Sequence, residues 1–129
     1  MIKMSIDEMV SELNALASKK VCITFHSVGD TDSVSSAFGV ASILGNATIA
    51  TPDYITSNSR RILELFGYDP SSISTSIGQD FDAVILVDVN NYEDCGPFSE
   101  ILKSYGSKVL VIDHHAPNNS QIRGYNDEN

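Results

Sequence analysis

VLVIDHHAPNN, residues 109–119, runs aliphatic side chains straight into an aspartate and two adjacent histidines. Its first half has the continuous apolar, β-branched character of a strand buried on both faces, which is the strand type of parallel sheets covered by helices. AVILV at 83–87 repeats the pattern and ends in Asp88, and VCITF at 21–25 repeats it again before the polar turn HSVGDTD. Three apolar runs therefore deliver acids or histidines at their carboxyl ends.

The segments between these runs read as helices. From Ser5 to Ala17, the residues Ile6, Met9, Val10, Leu13 and Leu16 fall at helical spacing, and Ser5-x-x-Glu8 is a capping box. After the polar turn, Val34, Ala37, Phe38, Ala41 and Leu44 line one helical face that Gly45 closes. Residues 47–51 read as a second strand, and a helix near 58–66 presents Ile62, Leu63 and Phe66 before Gly67. The Ser-rich piece 71–79 reads as a loop or a poor edge strand. Pro97 suits the first turn of a helix running to about Tyr105 and stopped by Gly106. KVLVI at 108–112 is expected to be the last strand, because the tail from Ala116 onward is polar and shows no periodicity. Strands alternating with helices predict an α/β fold: a parallel β-sheet with helices on both faces, a Rossmann-like three-layer sandwich.

Composition narrows the function classes. The chain has 129 residues, 42% hydrophobic and 19% charged, which suits one ordinary globular domain or less than one. No apolar run approaches the roughly 20 residues of a membrane span. Acids interrupt MIKMSIDEMV before any apolar signal core forms, so a cytoplasmic location is expected. Cys22 and Cys95 lack metal-binding or redox spacing and read as reduced, packed thiols. With 17 acids against 8 basic residues and a net charge of −9, no duplex nucleic-acid surface is evident.

In parallel α/β sheets, ligands bind at the carboxyl ends of the strands. His26, Asp30, Asp32, Asp88, Asp113, His114 and His115 are all expected at that edge. Each has an ordinary alternative. Asp30 and Asp32 suit a turn and a helix N-cap, Asp88 a strand-ending turn, and His26 a hydrogen-bonded interior histidine. Adjacent imidazoles beside an aspartate are harder to explain without ligation, and the convergence of all seven favours a metal site. Imidazole with carboxylate suits manganese, magnesium, iron or zinc, and the carboxylate share tilts the choice to manganese or magnesium. There are more ligands than one ion needs. Two ions sharing a carboxylate would use them, and that arrangement serves in-line displacement at phosphorus.

HSVGDTDSVSS at 26–36, the aspartate of ILVDVN at Asp88, and VLVIDHH at 109–115 together resemble the first three motifs of the DHH phosphoesterase superfamily. The resemblance implies a metal-dependent phosphoesterase using two Mn2+ ions, with Mg2+ also allowed. It implies that His26 and Asp30 hold one ion, that Asp32 and His114 hold the other, and that Asp88 bridges them. His115 would contact phosphate as a catalytic residue, and Asp113 would be a supporting or structural partner of the site. Ser36 matches a small residue that lets the helix approach, and Gly29 stands where relatives often carry Pro. The implied substrate is a small phosphorylated molecule: pyrophosphate, polyphosphate, a short oligonucleotide or a cyclic dinucleotide. A homodimer is allowed. Two departures set a further expectation. The family's fourth motif, with another metal-binding aspartate, has no clear counterpart, and its C-terminal substrate domain has none. Residues 1–129 are therefore expected to be the amino-terminal part of such an enzyme, with slow or absent hydrolysis on their own.

Two rivals remain. A receiver domain also places acids after its strands, but its lysine should follow the last strand, whereas Lys108 precedes it, and the histidines would be unexplained. A non-catalytic regulatory module could bind metal or nucleotide through the same cleft. Turnover of phosphate esters in excess manganese separates it from an enzyme.

Overall fold

Side-chain alternation along the central strands sets the two layers of the core. The structure, a computed structural model, describes residues 1–128. Its regular elements are β1 (Ile2–Lys3), α1 (Ile6–Leu16), β2 (Val21–Thr24), β3 (Val28–Gly29), α2 (Thr31–Leu44), β4 (Ala47–Ile49), β5 (Tyr54–Ile55), α3 (Ser57–Leu65), β6 (Ala83–Val87), α4 (Ser99–Tyr105), β7 (Val109–Asp113) and β8 (Arg123–Asn126). On β6 and β2, Ile85, Val87, Val21 and Ile23 pack with α1, α2 and α3 through Met9, Leu13, Val34 and Leu63. Val84, Leu86 and Cys22 face the opposite layer, where α4 contributes Leu102 and Tyr105. Both faces of β6 are covered, so all five of its residues are buried. Full burial of Ile85 or Leu86 contributes roughly 1.5–3 kcal/mol each.

The helices begin and end where local chemistry directs. Ser5 and Glu8 form a reciprocal capping box on α1. Asp30 caps α2, which stops at Gly45 in the left-handed region (φ 80°), a conformation that costs glycine little. Thr56 caps α3. Helix α4 starts at Ser99, with Pro97 in the preceding 3₁₀ turn Glu93–Phe98, slightly later than the proline suggested. The Ser-rich piece is mostly irregular: a 3₁₀ turn at Pro70–Ser72 and a single bridge from Ser74 to Ala50.

The main sheet runs β1-β8-β7-β6-β2-β4 and every pair in it is parallel. KVLVI is not the last strand. The tail supplies β8, which pairs with β7 on one side and with β1 at the far edge. The chain leaves β2 towards β4 on one side and returns to β6 on the other, so the winding reverses between β2 and β6. A cleft opens at such a reversal because the connections diverge to opposite faces. The carboxyl ends of β2, β6 and β7 all point to it. The small parallel pair β3–β5 fixes the path from β2 into α2. Among the described residues, no helix is long and apolar enough to cross a membrane.

Candidate metal centre

Asp88 follows β6 directly and sits in the left-handed region, with φ of 60°, the only such residue other than glycine in the described chain. Aspartate tolerates this conformation better than most residues, and strained positions of this kind collect at functional sites. Its backbone N–H donates to Ile112 O at 3.1 Å, so the ladder with β7 holds the peptide while the side chain turns into the cleft. There Oδ1 lies 2.7 Å from His114 Nε2, and Oδ2 accepts from Ser33 Oγ at 3.0 Å.

Asp113 ends β7 with its side chain fully buried. One carboxylate oxygen accepts from Asn90 Nδ2 at 2.9 Å, and the other lies 2.7 Å from His115 Nδ1. Asn90 also donates to Ala116 O at 3.0 Å, and Asn126 of β8 donates to His115 O at 2.7 Å, so the turn after β7 is tied down from two sides. The bond to Asp113 places the proton of a neutral His115 on Nδ1 and pushes its pKa above the ordinary value; Asp88 and Asp30 add smaller attractions, and partial burial opposes them. The two imidazole rings lie 4.4 Å apart between centroids.

The first motif arrives from the other side of the cleft. His26 lines a cavity of about 360 Å³ together with Asp88, Asn90, Asp113 and His115. Its Nδ1 accepts from Val28 N–H at 3.1 Å. A backbone N–H can only donate, so a neutral ring with this bond carries its proton on Nε2. Ligation through Nε2 requires that proton to move to Nδ1 and this bond to be given up. Asp30 caps α2 by accepting from Ser33 N–H at 2.9 Å and is close enough to His115 to favour its charged form. Asp32 is exposed in the first turn of α2. Ser36 is exposed on the same helix. A Cβ on Gly29 would lie 2.7 Å from Ile55 Cγ2 and 2.9 Å from Phe25 Cε1, so the β3–β5 contact leaves no room for a side chain there.

Among the described residues, Asp88, Asp113, His114 and His115 each offer a ligand atom, and these atoms lie within 4.8 Å of one another. Two carboxylates and two imidazoles within that span fit a divalent cation. His26, Asp30 and Asp32 lie outside this group of four. A recess of about 380 Å³ near Phe38, Ala47, Ile49 and Tyr68 has no carboxylate or imidazole in its lining and offers no comparable chemistry. Sequence reading missed Ser33 and Asn90. Nothing in one of several serines of a helical stretch, or in an asparagine three residues past a strand, distinguishes a buried hydrogen-bond donor from a surface residue.

The profile of the DHH family, N-terminal domain, matches residues 20–128. No curated protein matches the chain. Among solved structures, an exopolyphosphatase-related protein from Bacteroides fragilis superposes with a TM-score of 0.60 at 18% identity. The match covers 93% of this chain and 38% of that one, so the two share a fold over a little more than a third of the larger protein.

Proposed function

The chain belongs to the DHH family, as its N-terminal domain, and from that premise we propose a phosphoesterase domain that hydrolyses phosphodiester or phosphoanhydride bonds of a small phosphorylated substrate at a two-ion site. The observation that carries this reading is the convergence of Asp88, Asp113, His114 and His115 at the carboxyl ends of β6 and β7. His26, Asp30, Asp32, Asp88 and His114 would hold the ions, with Asp88 shared between them, and Mn2+ or Mg2+ suits that donor set. Divalent ions at such a site supply Lewis acidity and a water acidified enough to attack phosphorus near neutral pH.

The chain's own groups do the rest. His115 receives a fixed ring orientation from Asp113, and its raised pKa favours the charged imidazolium. Its Nε2–H then donates to a phosphoryl oxygen, where negative charge grows in the transition state. The tied-down turn after β7 spares the site the entropy of ordering that donor during reaction. The match of residues 20–128 to the family's N-terminal domain supports reading the chain as an amino-terminal catalytic layer.

Turnover of pyrophosphate, a short oligonucleotide and an aryl phosphodiester in excess Mn2+ tests the proposal. Hydrolysis of one of them is expected to be slow, and lost in His115→Ala with Mn2+ binding retained, whereas Asp88→Ala is expected to abolish Mn2+ binding. A chain that binds Mn2+ and hydrolyses none of the three is the regulatory module instead, and unchanged Mn2+ binding by Asp88→Ala removes the shared site.

A further inference from the structure

Ser33 is fully buried at the third position of α2, between the exposed Asp32 and the buried Val34. Ser35 and Ser36, on the same helix, are exposed. A buried hydroxyl without a partner costs about 1–3 kcal/mol, and alanine would fill this position in a helix at no such risk. The hydroxyl is spent on Asp88: Ser33 Oγ donates to Oδ2 at 3.0 Å. The same residue's N–H donates to Asp30 Oδ1 at 2.9 Å. One buried serine therefore joins two of the carboxylates assigned to metal, one on the N-terminus of α2 and one at the tip of β6.

We infer that Ser33 is a positioning residue, which sets the carboxylate plane of Asp88 and locks the first motif to it. The backbone of Asp88 is already held by its N–H bond to Ile112 O and by its left-handed conformation. What stays free is rotation of the carboxylate. With Oδ2 engaged by Ser33 and Oδ1 turned to His114, that rotation is removed. A carboxylate that would hold cations has to present its oxygens to them, so a fixed orientation serves and most others do not. Hydroxyl and amide groups that orient metal ligands in this way typically account for 10–100-fold in metal affinity. The inference rests on the metal reading above and deepens it.

Mn2+ titrations of wild type, Ser33→Ala, Ser33→Thr and Asp88→Ala, followed by the electron paramagnetic resonance of free Mn2+, test it. Ser33→Ala should weaken Mn2+ binding by about tenfold or more, and Ser33→Thr, which keeps the hydroxyl, should recover most of the loss. A purely structural serine would lower the thermal midpoint of the metal-free chain and leave the affinity of the folded chain unchanged. Should the extra methyl of threonine disturb the buried site, a thermal cycle in chelator with Ser33→Ala, Asp88→Asn and the double variant decides. Non-additive midpoints support the Ser33–Asp88 link, and additive ones overturn it. If Ser33→Ala binds Mn2+ as tightly as wild type while Asp88→Ala does not bind, this inference alone falls. A wild-type chain that binds no Mn2+ overturns the metal reading and this inference with it.

Discussion

Asp113 spends both carboxylate oxygens on neighbours, Asn90 on one side and His115 on the other, and that division defines what His115 can do. The carboxylate holds the proton on Nδ1 and favours the charged ring, so His115 titrates above its ordinary value near 6.5 in the metal-free chain. Removing the charge with Asp113→Asn should bring the midpoint down, and nuclear magnetic resonance of the ring in chelator reads it directly. An unchanged midpoint would mean that Asp113 is not the dominant partner. A folded-state pKa raised above the unfolded one contributes stability that is complete below the unfolded pKa and disappears as pH rises through the folded value. Thermal midpoints of the metal-free chain should therefore slope downward from mildly acidic pH to above neutrality, and Asp113→Asn should flatten that slope. Because the His115 side chain is 56% exposed, solvent screening keeps this contribution small.

At the scale of elements, β8 shows how a strand can be present without announcing itself. Its sequence RGYN has no alternating apolar pattern, yet Gly124 stands opposite Val111 and the strand fills the space between β7 and β1. The approach is close: a Cβ at Gly124 would lie 2.6 Å from Val111 Cβ. Gly124→Ala should therefore force β8 away from β7 and destabilise the chain by about 1–3 kcal/mol, the usual cost of overpacking. Urea unfolding measures it, and a midpoint equal to wild type would show that the β7–β8 spacing is slack. The displacement should also loosen the bond to His115 O from Asn126, two residues further along β8. Helices α1 and α2, by contrast, were legible from the capping box of α1, the apolar spacing of both and the Gly45 that closes α2, all short-range features, although the N-cap of α2 is Asp30 rather than Asp32.

At the scale of the whole molecule, the net charge of −9 concentrates part of its repulsion at one sheet edge, where Asp30, Asp88 and Asp113 approach two histidines. Divalent cations held there would relieve that crowding, and only the folded chain brings these groups together. Mn2+ should raise the thermal midpoint and chelator should return it. At a hundredfold excess over Kd the stabilisation is about 2.7 kcal/mol for each ion bound. A midpoint indifferent to both additions would argue against a preformed site.

The parallel sheet and its two helical layers followed from the sequence alone, because periodicity and capping act over a few neighbouring residues and a buried strand has to be apolar on both faces. The arrangement of the strands did not follow from it. That β2 and β6 are neighbours flanking the reversal of the winding, that β8 continues the sheet past β7, and that Ser33 and Asn90 brace Asp88 and Asp113 are products of packing between segments far apart in the chain. The hydroxyl of a serine or the amide of an asparagine acquires a role only when tertiary structure excludes water and leaves it one partner.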